Sequence, residues 1–176
     1  GASWVRNESI NHMQDSGADI QIYSANLVSR SQEYDQRTLQ SHEARNTTSD
    51  LLFKNALYDE ARTIFAGLIQ VQPGSHYTDS YQTCRNLLGS EKAEANSMPG
   101  LEIDADQVKC SHGSTSGQIS DEEIFYLQAR GIPAESERQM ISLGFMNESI
   151  SKLTGAEIKE NLFERVQRKF ASLRDW

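Results

Sequence analysis

Two different periods of apolar residues divide this chain. From residue 19 to 119 the apolar positions alternate or gather in short runs. Ile20 and Ile22 alternate with Asp19 and Gln21 ahead of Tyr23-Ser24-Ala25-Asn26-Leu27-Val28. Leu101, Ile103 and Ala105 alternate with Glu102 and Asp104, while Ile64 to Val71 is more continuous and is closed by Pro73-Gly74. These are strand periods, and the Gly, Pro, Asn, Asp and Ser between them favour turns. No segment before 119 carries a helical stripe beyond a turn or two. Many short strands at near-regular spacing fit a sandwich, a barrel or a β-solenoid, and pattern alone does not choose. No repeat period can be read directly from these residues. Residues 1–18 are set apart as an N-terminal segment, disordered or covering the edge of the β part.

After Gly117 the period changes. Ser120 and Glu123 form a capping-box pattern, and Asp121, Glu122 and Glu123 suit the positive end of a helix dipole. Ile124, Phe125, Leu127 and Gln128 continue that helix, and Arg130-Gly131 reads as its stop. Pro133 suits the first turn of a second helix, in which Met140, Ile141, Leu143 and Gly144 recur at helical spacing. Thr154 with Glu157 predicts a second capping box. It opens a stripe of Ile158, Leu162, Phe163, Val166, Phe170 and Leu173. Residues 19–119 therefore read as a β-rich part and 120–176 as a helical domain. Most of Phe125, Tyr126, Leu127, Met140, Ile141, Leu143 and Phe145 are expected in the helical core.

Charge narrows the function. The chain of 176 residues carries a formal net charge of -8. Between Glu91 and Glu123 eight acids stand against Lys92 and Lys109. That segment lacks the basic footprint that a phosphate backbone requires, so nucleic acid is not an expected partner. Mean hydropathy is -0.62, and no apolar run is long enough to span a bilayer. Two cysteines are too few for a disulfide-stapled secreted fold, which points to a reducing compartment. The cytoplasm is the expected location, or the plastid stroma after removal of a targeting peptide. A phosphate-binding GxxxxGK[ST] loop is absent, as are GxSxG, HExxH and CxxC, so no ATP hydrolysis or nucleophilic catalysis is expected of the chain itself.

The chemistry concentrates between Leu101 and Phe145. Cys110 and His112 are two positions apart, so on a strand they share a face, with Val108 at the same parity. A thiolate and an imidazole suit iron and other soft or borderline metals. Two ligands do not close a site, so no metal is expected to bind the isolated chain tightly. The other reading makes Cys110 a small core filler and His112 a hydrogen-bonded histidine beside the Gly113 turn. Cys84 reads as a buried or half-buried free thiol, and His42 and His76 as loop or turn histidines. A zinc site from Cys84, His76, Cys110 and His112 matches no standard spacing.

The order Asp106-x-Val108-Lys109-Cys110-Ser111-His112-Gly113, then Gly117-Gln118-Ile119, Glu122-Glu123-x-Phe125-Tyr126-Leu127 and Arg130-Gly131-Ile132-Pro133, closely resembles the SufB/SufD family in its SufD-like form. These are subunits of the SufBCD scaffold that assembles iron–sulfur clusters. Upstream, Phe65-x-Gly67, Thr78-Asp79-x-x-Gln82, Asn86-Leu87-Leu88 and Lys92-Ala93-Glu94-Ala95 match as well. So do His42 and Thr47-Thr48-Ser49, with Asn46 where a second His is expected. The resemblance covers roughly residues 20–153. It implies a mainly β fold: part of a right-handed parallel β-helix followed by a small C-terminal α-helical domain. The chain then looks like the C-terminal portion of a longer subunit. Its exposed first coil is expected to self-associate or to be covered by residues 1–18.

The resemblance also implies roles. His112 stands where the family places a histidine facing a cysteine of the SufB-like paralogue, with Cys110 the weaker candidate. The helical domain would dock a SufC-like ABC ATPase. Tyr126 and Arg130 share a helix surface and are of types enriched at interfaces, which makes them docking candidates. A packed tyrosine on a solvated face is the equal alternative. The expected function is a non-enzymatic scaffold for cluster assembly that pairs with a SufB-like subunit, or forms a homodimer. Its only cofactor would be a transient iron–sulfur cluster or its precursors. A second reading, a β-helical carbohydrate-active enzyme, would draw carboxylates from Glu102, Asp104 and Asp106. The same acids also fit a solvated strand face.

Overall fold

The computed structural model describes residues 2–173, with only the backbone at 134 and 135. Eight strands of ten residues come first: β1 (Trp4–Met13), β2 (Asp19–Val28), β3 (Glu33–His42), β4 (Thr48–Leu57), β5 (Arg62–Val71), β6 (Asp79–Leu88), β7 (Glu94–Ile103) and β8 (Lys109–Gln118). Three helices follow: α1 (Asp121–Gln128), α2 (Ala134–Ser151) and α3 (Ala156–Ala171). Alternate strands pair in parallel, giving one sheet ordered β1-β3-β5-β7 and another ordered β2-β4-β6-β8. The chain is a parallel β-solenoid of about four turns with a helical region after it. This is the solenoid among the three architectures that the strand pattern left open. Stacked partners lie 29 to 32 residues apart.

The corners set that spacing. Arg30, Asn46, Asp59, Tyr77 and Gln107 take positive φ between 57° and 63°. This left-handed conformation is costly for residues with a Cβ, and hydrogen bonds between coils offset the cost. The Arg30 N–H donates to the Asp59 carboxylate at 2.7 Å, and the Asp59 N–H donates to Ser90 Oγ at 2.8 Å. At the opposite corner Asn46 N–H reaches the His76 carbonyl, and Tyr77 N–H the Gln107 carbonyl.

Side chains of one parity fill the space between the sheets. Leu51, Phe53, Phe65 and Cys84 form a buried cluster, with the two rings edge-on at 5.5 Å. Much of the remaining interior is polar. Gln36, Gln40, His42, Ser49, Ser80 and Gln82 are all buried. Asn26, Asn55 and Asn86 form a ladder, each amide donating to the next at 2.8 Å. This polar filling overturns the turn-histidine reading of His42. Its ring is fully buried at the end of β3, with Nδ1 2.8 Å from Thr47 Oγ1 and Nε2 3.0 Å from Ser49 Oγ.

It also hid β1. Residues 1–18 were expected to be disordered or to cover the edge of the β part, and Trp4–Met13 form a full strand paired with β3 along its whole length. Their inward positions Asn7, Ser9 and Asn11 carry no apolar signal.

Strand β4 is covered on both faces, so Leu51 to Leu57 are buried without a break, Lys54 and Asn55 included. Its outer face meets α2 and α3 in a cluster of Ala56, Tyr58, Met146 and Phe170, joined by Ala25, Leu27, Leu143 and Phe145. Tyr58 packs edge-on against Phe170, with centroids 5.9 Å apart. Charges border this seam. Buried Lys54 pairs with Glu148 and lies 4.2 Å from the Phe145 ring centroid. Arg85 lies 3.4 Å from Glu148, and Lys152 pairs with Asp50 at 2.8 Å.

The first capping box forms as predicted. The second does not. Gly155, at φ 95°, takes the cap position of α3 and no side chain caps that end. Phe125, Tyr126 and Met140, expected in the core, are 70%, 55% and 48% exposed, and Met146 and Ile150 are buried instead. Among the described residues no helix is long and apolar enough to cross a membrane.

Candidate functional site

The sequence Lys-Cys-Ser-His-Gly-Ser-Thr-Ser-Gly-Gln makes β8 a strand of small side chains. It pairs with β6 on one edge only, because it ends its sheet. Ser80 stands opposite Cys110 and Gln82 opposite His112. Both Ser80 and Gln82 are interior residues, so the thiol and imidazole face the same way, into the space between the sheets. They sit on the last coil, and no further coil covers them. Cys110 is half-buried and His112 exposed. Cys110 and His112 thus share one face of β8, as their spacing predicts.

Burial pushes the Cys110 thiol above its ordinary pKa. The Asp79 carboxylate adds to the shift, and a hydrogen bond from the Ser80 backbone partly offsets it. The thiol is thus protonated at neutral pH and needs a cation to draw off its proton before it can ligate. No group of three or more His, Cys, Asp or Glu converges among the described residues. Cys110 and His112 can supply at most part of a ligand set.

The other candidates are dispersed. Cys84 is fully buried one coil further in, where Ser97 Oγ and Asn55 Nδ2 each donate to Sγ at 3.7 Å. Burial raises its pKa to about 11, which makes it inert. His76 Nδ1–H donates to the Asp106 carbonyl at 3.0 Å, a corner role that agrees with its sequence context. Glu102 is the penultimate residue of β7, on the outer face, and accepts from Gln70. Asp104 and Asp106 fall in the following turn, so these three acids do not form a facing pair on one strand. In and just past α1, which follows β8 directly, the Arg130 guanidinium lies 3.5 Å from the Tyr126 ring centroid.

Sequence reasoning passed over Phe125 and Met140 as surface residues, because their apolar character argued for the core. It also missed the asparagine ladder, whose signal was Asn recurring at 26, 55 and 86.

A parallel two-sheet solenoid with a helical region after it, whose last strand carries Cys-x-His, defines a parallel β-solenoid protein. Its relatives agree. The family model described as SUF system FeS cluster assembly, SufBD core domain matches residues 1–145. The chain is 34% identical over 169 residues to the iron–sulfur cluster assembly protein SufD of Escherichia coli K12, covering 96% of this chain and 40% of that protein. It is 30% identical over 161 residues to an iron–sulfur cluster assembly SufBD family protein of Mycobacterium leprae, covering 87% and 41%. It is 29% identical over 143 residues to the chloroplastic SufBD family protein ABCI8 of Arabidopsis thaliana, covering 80% and 26%. The chain belongs to the SufBD family of iron–sulfur cluster assembly proteins, and it spans about two fifths of the length of the bacterial relatives.

Proposed function

We propose that this chain is part of a SufD-like scaffold subunit. It pairs with a SufB-like subunit through the β7–β8 end and docks a SufC-like ABC ATPase through its helices. The observation that carries this reading is the position of His112 and Cys110 on the inner face of the last coil, beside an unpaired strand edge. An open edge of small residues favours pairing with another chain, and a two-ligand half-site needs donors from that chain. His112 is the principal ligand for iron or a sulfur-bearing intermediate, and Cys110 the lesser one, since its thiol stays protonated until a cation arrives. The cluster is the cargo of the assembly. The scaffold works by holding ligands in place, with no bond-making group of its own. The sequence family and the matching Cys-Ser-His-Gly and Arg-Gly-Ile-Pro segments support this reading over a carbohydrate-active one.

The test is recovery of partners. The full-length subunit, tagged and purified from its own source, is expected to bring down a SufB-like protein and a SufC-like ATPase together. Recovery of neither at physiological salt contradicts the proposal. A screen of acidic and neutral glycans that finds cleavage, lost in Asp104→Asn, would favour the enzymatic reading.

A further inference from the structure

The helices cover the outer face of β2 only in part. Its outward residues Tyr23, Ala25 and Leu27 form one wall of a cleft of about 400 Å³. Ile150 and Leu153, at the end of α2 and just past it, and Leu162 and Val166 of α3 form the other. Ile150 is buried, while Leu27, Leu153, Leu162 and Val166 are only half-buried. Small-molecule sites have this size and this mainly apolar lining, with a few polar groups at fixed places.

The charges around the cleft are matched at one side and unmatched at the other. Beside Tyr23, Lys152 pairs with Asp50 at 2.8 Å, and the Tyr23 hydroxyl donates to the same carboxylate at 3.2 Å. On α3, Arg165 and Lys169 line the cleft one turn apart. Neither makes an ion pair among the described residues. No acid stands three or four positions from either along the helix. Glu33 lines an adjoining hollow that Lys169 also borders, but it is engaged by Trp4 and Arg62. The helix dipole accounts for a lysine in the last turn, whereas Arg165 lies before that turn. In a chain of net charge -8, two such cations beside an apolar cleft are complementary to an anion that enters it.

We infer that the cleft between β2, α2 and α3 binds a small amphipathic carboxylate, its head group held by Arg165 and Lys169 and its hydrocarbon body lying over Leu27, Leu153 and Val166. The guanidinium takes the carboxylate through two parallel N–H donors, and the ammonium adds a point charge. The apolar body displaces water from side chains that the fold leaves half-buried. The walls come from both the solenoid and the helices, so an occupant ties the two together and stabilises the chain as its concentration rises.

The experiment measures binding of decanoate to the full-length subunit by titration calorimetry, with butyrate, decanol and inorganic phosphate as comparisons. One decanoate per subunit is expected, with affinity rising about threefold for each methylene that the cleft buries. Decanol should bind at least about tenfold more weakly than decanoate, for want of the charged head group, and inorganic phosphate should not bind detectably. Arg165→Gln with Lys169→Gln should lower decanoate affinity at least about tenfold and leave decanol affinity unchanged. Arg165 is exposed and Lys169 half-buried, so the circular dichroism of that variant should match the parent's. Decanoate should raise the unfolding midpoint of the parent and not of the variant. No decanoate binding at millimolar concentration overturns the proposal. So does equal binding by the double variant, or an affinity that ignores chain length, which would leave a bare anion site. Binding to the 176-residue chain but not to the full-length subunit overturns it too, because the rest of the subunit then fills the cleft.

Discussion

Gly89 and Tyr58 touch across one coil so closely that a Cβ at Gly89 would fall 2.1 Å from Tyr58 Cε1. The Tyr58 ring is fully buried where the solenoid meets the helices, and its hydroxyl reaches Ser142 and the Arg138 carbonyl. Arg138 in turn donates to the Gly89 carbonyl at 2.9 Å. Gly89→Ala must therefore push the ring out of its seat. Overpacking of this kind costs about 1–3 kcal/mol. Urea unfolding at pH 7 is expected to show that loss, and an unchanged midpoint would mean that the seam is looser than described.

His42 makes stability depend on pH. Burial lowers its pKa from 6.5 to about 4, so the folded chain keeps the ring neutral where the unfolded chain protonates it. The unfolded state then binds more protons between pH 6.5 and 4, and stability falls as pH is lowered through that window. Between pH 7 and 5 the loss from this one group is about 2 kcal/mol. Carboxylates titrate in the same region, so the readout is a difference. His42→Asn should be less stable at pH 7 but should lose about 2 kcal/mol less than the parent on going to pH 5. Identical slopes would contradict a buried neutral ring.

Lys54 tests the helix–sheet seam. It is 2% exposed and pairs with Glu148, which is half in solvent. Glu148→Ala strands a buried ammonium and is expected to cost about 2 kcal/mol, solvent at the Glu148 side tempering the loss. Lys54→Met removes the charge and keeps the packing under Phe145, so it should be neutral or stabilising. Thermal unfolding of both variants separates the two effects. A Lys54→Met chain less stable than Glu148→Ala would show that the charge itself holds the helices down.

The strand positions were legible wherever inward residues were apolar, as in Ile64 to Val71. They were hidden where the solenoid fills itself with Asn, Gln, Ser and His. That is why β1 and the role of His42 went unread. The repeat period was invisible for a related reason. Its markers are left-handed corner residues of five different types, and only their hydrogen bonds to the next coil identify them. Gly67 was legible as part of Phe65-x-Gly67. The physical cause emerged only with Gln82, whose Oε1 would lie 2.3 Å from a Cβ there. The shared face of Cys110 and His112 followed from spacing alone. Their exposure did not, because it depends on β8 being the last coil.

The central claim is that His112 is a ligand presented to a partner across an open strand edge. The direct measurement is iron–sulfur enzyme activity in cells whose only copy of the full-length subunit carries His112→Ala or Cys110→Ala. His112 is exposed, so the variant should fold and accumulate normally. Cluster maturation is expected to drop about tenfold or more with His112→Ala, as for loss of a metal-site residue, and to drop less with Cys110→Ala. Maturation by His112→Ala equal to the parent, with the protein present at normal level, would contradict the account.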